Sequence, residues 1–175
     1  VLKFTTNLVE LPYSIDKVTP EAVKAHADEL VANMKTVFPR FARDVRGWEE
    51  EILERFKEGP VKSKLDFNMA ALNLDGILFF FTQGEPFCEY QMEAREAFPG
   101  KTVFFAGYTG GQNSYLPSAH AFATRKGYEY EIEQMHVYIK APYPLSEKMP
   151  ESYKEAIFQT IAAVNDADRY SIIPA

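Results

Sequence analysis

Cysteine, histidine and long apolar runs are all scarce in this chain of 175 residues. The single cysteine, Cys88, excludes an internal disulfide and a cysteine-rich zinc finger, and we expect it to be a free, buried thiol. No apolar run reaches the roughly 18 residues that span a bilayer, so no transmembrane segment is expected. The first residues also lack the basic and apolar blocks of a signal peptide. The sequence therefore assigns no cellular compartment.

Basic residues are outnumbered, with 19 Lys and Arg against 25 Asp and Glu, for a net charge of −6. Binding to nucleic acid needs clustered Lys and Arg, because neutralised phosphates release their counterions. The sequence contains no such cluster. Nucleic acid is therefore excluded as an expected partner.

Aromatic residues are plentiful instead, at 14% of the chain, with 14 Phe and 10 Tyr. These rings belong in a core, in a substrate groove or at an interface with another chain, and composition does not separate the three. The apolar share of 46% and the charged share of 25% are ordinary for a folded protein. The length fits a single domain, or half of a larger one.

The first part of the chain reads as a strand and two helices. Residues 2–12 are typical of an edge strand that a proline closes. Thr19 is a natural N-cap, with Pro20 in the first turn of a helix whose apolar face continues until Pro39 intervenes. A second helix is predicted over 41–57, with a glutamate-rich, solvated face. Residues 65–74 fit either a strand or an irregular segment.

The centre of the chain predicts an α/β fold. Ile77 to Phe81 and Thr102 to Ala106 are compact apolar runs, as expected for strands covered on both faces, and 86–97 reads as the helix between them. Further predictions are a short helix over 117–124, an extended segment over 128–140 and a final helix over 151–164. We therefore expect a mixed sheet flanked by helices.

One candidate for chemistry is Glu85, in Gln83-Gly84-Glu85-Pro86. A carboxylate between a buried strand and a helix is held by rigid elements, and the adjacent Gly84 allows close backbone approach. The carboxyl end of such a strand is where α/β folds place their sites. A glutamate before proline is also typical of a helix N-cap or a surface turn, so this residue alone decides nothing.

The second candidate is the glycine-rich segment 107–117. It lacks the Lys-Ser/Thr ending of a P-loop and the Rossmann spacing, so phosphate binding is not expected. It would instead present polar and phenolic side chains beside the sheet, as the wall of a polar site. Tyr115 and the later Tyr128 could equally be core phenols with satisfied hydroxyls.

In their order along the chain, these segments resemble the neutral/alkaline ceramidase family. The resemblance runs from about Phe80 to Tyr130. The matching elements are Gly84-Glu85, Arg95 within the following helix, Gly107-Tyr108, Tyr115-Leu116-Pro117-Ser118 and Gly127-Tyr128-Glu129.

This resemblance implies a zinc-dependent amidohydrolase that cleaves an N-acyl, ceramide-like amide with metal-activated water. Two zinc histidines would come from the N-terminal half of the family's domain, and Glu85 and Tyr115 would be the other two ligands. Tyr128 would bind or polarise the scissile amide. Zinc suits this role because it accepts oxygen and nitrogen ligands and lowers the pKa of bound water to about 7. Pro117-Ser118 stands where the family has Thr-Thr, which leaves room for an N-acyl substrate other than ceramide.

The chain has only three histidines of its own, and none forms a His-x-x-x-His pair. His26 lies on the apolar side of the first helix and is expected to be packed. His120 is expected to be structural, and His136 to be a strand side chain. The resemblance therefore implies that this chain is half of a larger catalytic domain and that a complementary N-terminal chain supplies the zinc histidines. The alternative is a non-catalytic α/β binding or assembly subunit in which Glu85 and Tyr115 are structural. A serine hydrolase is not expected, because no Gly-x-Ser-x-Gly elbow is present.

Overall fold

The fold is described from a computed structural model, over residues 2–33, 39–111 and 114–165. The strands are β1 (Leu2–Pro12), β2 (Lys64–Leu74), β3 (Ile77–Thr82), β4 (Glu85–Pro86), β5 (Thr102–Ala106) and β6 (Tyr115–Leu116). The helices are α1 (Pro20–Asn33), α2 (Pro39–Glu58), α3 (Cys88–Ala97), α4 (Ala119–Thr124), α5 (Glu129–Glu133), α6 (Met135–Tyr138) and α7 (Met149–Asn165).

A mixed sheet of four strands, in the order β1-β2-β3-β5, forms the centre of the fold. The pairs β1/β2 and β2/β3 are antiparallel, whereas β3 and β5 are parallel and are connected through α3. The short strands β4 and β6 form a separate parallel pair. The predicted α/β class, with a mixed sheet flanked by helices, is confirmed.

The segment that the sequence left open, 65–74, is the long strand β2. It joins β3 through a tight turn at Asp75 and Gly76, both of which have positive φ. Positive φ at both central residues is the requirement of the two-residue hairpin turn, and Asp-Gly meets it. The carbonyl oxygen of the Asn73 side chain accepts a hydrogen bond from the Gly76 amide at 2.8 Å, which fastens the turn.

One face of the sheet is covered by α7 and α3. Asn7 on β1 donates to the Thr160 hydroxyl on α7 at 3.0 Å, and Tyr153 of the same helix donates to the Thr82 hydroxyl at 2.9 Å. Phe67 and Phe80 are fully buried in the core on this face. Burying such side chains supplies about 1.5–3 kcal/mol each, which is the main source of stability for this layer.

A second apolar cluster lies between α1, α2 and α6. The fully buried Trp48 occupies its centre and donates its indole N–H to the Ala141 carbonyl at 2.8 Å. The predicted cap of α1 is present, since the Thr19 hydroxyl accepts from the Ala22 amide at 3.2 Å. The two clusters share Leu65 and Leu145 as partly buried neighbours, so the layers are continuous. The predicted end of the first helix beyond residue 33 lies outside the described residues.

The segment 128–140 contains the short helices α5 and α6, joined and flanked by turns, so the prediction of an extended segment was wrong. The Ile132 amide donates to the Tyr128 carbonyl at 3.1 Å, and the Ile139 amide to the Met135 carbonyl at 3.1 Å. The side chains of Ile132, Met135 and His136 are buried. Their spacing of three and four residues is the helical one, although the Tyr, Ile and Val content favoured a strand.

Cys88 is exposed, so the prediction of a buried thiol was also wrong. Glu85 and Pro86 form β4, and α3 therefore begins at Cys88, two residues later than predicted. The helix buries Tyr90 and Ala94, and a residue two positions before Tyr90 points to the opposite side.

Within the described ranges, no helix combines the length and the hydropathy needed to cross a bilayer.

Candidate functional site

Gly84 fixes the position of the candidate carboxylate. It follows β3 with a φ of +67°, a conformation that favours glycine. Its amide donates to the Gly111 carbonyl at 3.1 Å, and the Glu85 amide donates to the Ser114 carbonyl at 2.9 Å. A Cβ atom at position 84 would lie 2.6 Å from the Ser114 oxygen. The glycine therefore lets two backbone segments meet where Glu85 begins.

Tyr108 reaches the same carboxylate from the end of β5. The Tyr108 amide donates to the Gly84 carbonyl at 2.8 Å, so the two strand ends are joined directly. Tyr108 has a φ of 57°, and its hydroxyl donates to the Glu85 carboxylate. The sequence singled out Gly107-Tyr108 only as a turn and missed this contact. The available signal was the parallel pairing of β3 and β5, which brings their carboxyl ends together.

Tyr115 lies directly beside Glu85, because the two residues are partners in the pairing of β4 with β6. The pKa of the Tyr115 hydroxyl is raised, first by the negative charge of Glu85, then by partial burial and by a hydrogen bond to Glu85. The charge of Glu131 adds to this effect. Two residues that lie 30 positions apart in the sequence thus form one pair.

Tyr128 lies near this group but is not paired with Glu85. It precedes α5, and its ring packs on Phe87 at a centroid distance of 4.8 Å. Because Phe87 follows β4 directly, Tyr128 borders the segment that carries Glu85. The sequence also singled out Arg95, in the helix that follows Gly84-Glu85. Its side chain donates to the Val103 carbonyl of β5 at 3.4 Å.

Glu131 is a second carboxylate that sequence reasoning missed. Its charge raises the pKa of both Tyr115 and Tyr130. One of its oxygens, Oε2, is buried and has no hydrogen-bond partner among the described residues. Recognising it would have required the helical register of α5, which the Tyr-rich sequence concealed.

The histidines are not part of this group. His26 and His136 face one another with their Nε2 atoms 3.1 Å apart, and the edge of Trp48 packs on both rings. Burial lowers the pKa of His136 well below its usual value, with a further contribution from His26. Burial also lowers the pKa of His26, although the Glu29 charge opposes it. His120 is exposed on α4.

His26 is therefore packed, as predicted. His136 is buried, but it belongs to α6 and not to a strand.

A small cavity of about 10 Å³ is lined both by His136 of the histidine pair and by residues close to Tyr115. Its lining includes Ser114, Glu131 and His136. The Nδ1 atom of His136, like Oε2 of Glu131, is buried without a partner in the described part of the chain. A cavity of this size holds a single water at most, and two unpaired polar atoms are what such a water needs. His136 of the histidine pair and Glu131, whose charge influences Tyr115, therefore line the same cavity.

The chemistry of the group is that of oxygen donors around a negative charge. Glu85, Tyr108 and Tyr115 bring a carboxylate and two phenols together, with a second carboxylate nearby. Within residues 2–33, 39–111 and 114–165, no cluster of three or more His, Cys, Asp and Glu could hold a metal ion. The candidate site therefore brings oxygen donors together, without nitrogen ligands from the described residues.

Comparison with the models of known protein families gave no match. No curated protein and no solved structure matches the chain either.

Proposed function

We propose that this chain is the C-terminal portion of a zinc-dependent amidohydrolase that cleaves an N-acyl, ceramide-like amide. The observation that carries the proposal is the pairing of Glu85 with Tyr115. These are the two residues that the resemblance to neutral/alkaline ceramidases assigns as zinc ligands. They come from the short strands β4 and β6 and meet just beyond the carboxyl end of β3, where a rigid sheet can hold them.

The donor set fits a zinc ion in part. Zinc accepts carboxylate oxygens, and a cation stabilises the deprotonated form of a phenol. The negative charge that now raises the pKa of Tyr115 is the charge that would attract such a cation. The unpartnered Oε2 of Glu131 adds to the attraction. The missing ligands are the two histidines, which we assign to a complementary N-terminal chain.

Each residue of the group has a separate task in this proposal. The zinc would supply an activated water for attack on the amide carbonyl. Glu85 and Tyr115 would hold the ion, and Tyr108 would fix the orientation of the Glu85 carboxylate through its hydrogen bond. Tyr128, with a partly exposed ring, would donate its hydroxyl to the carbonyl oxygen of the N-acyl substrate.

The test is the zinc content of the protein purified from its natural source, eluted first under native and then under denaturing conditions. A second polypeptide that co-elutes natively, with about one zinc per pair, supports the proposal. Glu85→Ala and Tyr115→Phe should then weaken zinc binding by more than the roughly 10–100-fold that loss of a supporting hydrogen bond costs.

Tyr128→Phe is the matched control. It should leave the zinc content unchanged and slow the hydrolysis of a fluorogenic N-acyl amide. A metal-free chain without a partner would contradict the proposal, and so would zinc that is retained by Glu85→Ala.

A second candidate function is a non-catalytic α/β binding or assembly subunit. The observation that favours it is the histidine pair, because the side chains of His26 and His136 are hydrogen-bonded to each other inside the fold. In that case the contacts of Glu85 with Tyr108 and Tyr115 are structural and hold their segments together. The same assay separates the candidates, since this subunit would bind no zinc under any condition.

A further inference from the structure

The face of the four-stranded sheet opposite α3 and α7 is apolar and open. Successive side chains of a strand point to opposite faces, so each strand sends every second residue to this side. Six apolar residues on it are each between 39% and 62% exposed. They are Leu2, Phe4, Leu8, Leu74, Ile77 and Phe104.

Aromatic rings occupy the middle of this open face. Phe79 stacks on Phe104 at a centroid distance of 5.2 Å and lies 6.4 Å from Phe81. The register aligns Phe4, Leu72, Phe79 and Phe104 in one row across all four strands. The residues of this row are apolar, and water solvates such a surface poorly.

The size of the open face is that of an interface. If a fully exposed Leu, Ile or Phe presents about 180 Å², the six residues expose on the order of 550 Å². The largest apolar patch of an ordinary monomer is roughly 300–600 Å² and is often functional. A standard interface buries about 800 Å² per partner, which the partly exposed phenylalanines and the rim would approach.

The sequence of β3 indicates that another layer of protein packs on the open face. An antiparallel sheet with one solvated face alternates apolar and polar residues, whereas strands covered on both faces are apolar throughout. In β3 the outward residues Ile77, Phe79 and Phe81 are as apolar as the inward Leu78 and Phe80. A second sheet, stacked face to face at about 10 Å, is a layer that buries an apolar face of several strands.

The open face ends at the candidate site. Phe81 on this face is followed by Gly84 and Glu85, and Ala106 on the neighbouring strand is followed directly by Gly107 and Tyr108. A sheet stacked over these strands would place the loops at its own strand ends beside Glu85. Such loops are where the nitrogen ligands that the described residues lack could be carried.

We infer that the open face is the docking surface for a β-sheet of the polypeptide that supplies the zinc histidines. The inference rests on the proposed function for the identity of this partner. The inference adds the position at which the partner binds, which is the open face, and the element that the partner contributes, which is a β-sheet. The two chains together would form a sandwich of two sheets, with the helices of this chain on one outer side.

The test uses the protein from its natural source with a benzophenone amino acid in place of Phe104. The control carries the same probe at Met92, which is 58% exposed on α3, the helix that packs against the other face of the sheet. After illumination, cross-linked peptides are identified by mass spectrometry. We expect position 104 to link at least about ten times more than position 92. The linked peptides should be strand segments of the polypeptide whose histidines are required for zinc.

Four results would overturn the inference. Position 104 could link only to a second copy of this chain, only to lipid or detergent, or no more than position 92 does. Capture of a polypeptide without the zinc histidines would overturn it as well.

A pair of lysine variants gives an independent measurement. Phe104→Lys should lower the recovered complex at least about tenfold, whereas Met92→Lys should leave it unchanged. The circular dichroism of both chains should match the parent, because both positions are exposed. If Phe104→Lys does not fold, the cross-linking result at the same position still decides.

The inference and the proposed function can fail separately. Cross-links from position 104 to a second polypeptide, with no zinc in the complex, would contradict the proposed function and the identity of the partner, and would support only the position of a contact surface. Zinc that depends on Glu85 and Tyr115, without cross-links at position 104, would support the hydrolase and reject this surface.

Discussion

Replacing Gly84 by alanine tests whether close backbone contact holds Glu85 in place. The added Cβ would lie 2.6 Å from the Ser114 carbonyl oxygen and 3.2 Å from the Phe67 ring. The first of these atoms belongs to the backbone and also accepts the hydrogen bond from the Glu85 amide. Relief of the clash therefore has to separate the two loops that form the site.

Two costs add up in this variant. A non-glycine residue in the left-handed region costs about 1–2 kcal/mol, and overpacking at a rigid site costs about 1–3 kcal/mol more. We expect the free energy of unfolding to fall by about 2–5 kcal/mol. Gly100→Ala is the matched control, because Gly100 has a φ of +77° but nothing within 4 Å of the added atom. Gly100→Ala should therefore show only the cost of a non-glycine residue in the left-handed region.

Urea unfolding, followed by circular dichroism, measures the difference. With a slope of roughly 2 kcal/mol/M, the midpoint of Gly84→Ala should lie about 0.5–1.5 M below that of Gly100→Ala. The displaced loop should also weaken the contact between Tyr115 and Glu85 and lower the pKa of the Tyr115 hydroxyl. Equal midpoints for the two variants would refute the argument that Ser114 and Gly84 meet at contact distance.

Three further outcomes are expected. Because the pKa of folded His136 and of folded His26 is lowered, stability should fall as the pH drops below about 6.5, by up to about 1.4 kcal/mol per pH unit for each histidine. Urea midpoints between about pH 7.5 and 5.5 measure this. Glu85→Gln should lower the pKa of Tyr115, measured by NMR titration of labelled tyrosine. Tyr90→Phe should cost about 1–3 kcal/mol in urea, because it leaves the buried Pro117 carbonyl without its donor.

Each of these has a control. His120→Gln changes an exposed histidine and should keep the full pH dependence, whereas His136→Gln should reduce it. Glu133→Gln removes a carboxylate that pairs with Arg125 and should leave the pKa of Tyr115 in place. A pH-independent midpoint, an unchanged Tyr115 pKa in Glu85→Gln, or full stability of Tyr90→Phe would each contradict the contact on which its prediction rests.

Periodicity predicted most of the fold where a single pattern dominated. The amphipathic helix 41–57 and the apolar strands around Phe80 and Phe104 were found because burial on one side, or on both, leaves an unambiguous pattern. β2 was not settled, since Asn68 and Asn73 interrupt its apolar residues. The amide of Asn73 donates to the Val164 carbonyl at 2.9 Å. That tertiary hydrogen bond is invisible in the sequence.

The site was predictable in part for a similar reason. Glu85 and Tyr115 were placed by the ends of strands and by glycine-rich turns, which are local features. The contact with Tyr108 and the influence of Glu131 depend on how β5 and α5 pack, so no local pattern announces them. The helical state of 128–140 was missed because Tyr, Ile and Val favour strands, whereas burial of Ile132, Met135 and His136 decided the outcome.

The pattern of β3 connects the fold with the proposed assembly. Its sequence, from Ile77 to Phe81, predicts a strand covered on both faces, yet the described residues cover only one. A sequence is selected in the state in which the protein works, so a strand apolar on both sides describes that state. The uncovered side leads to Glu85, where the described residues provide oxygen donors but no nitrogen ligands. A single partner sheet would cover the open face and could carry the nitrogen ligands, and this is why we propose one partner for both.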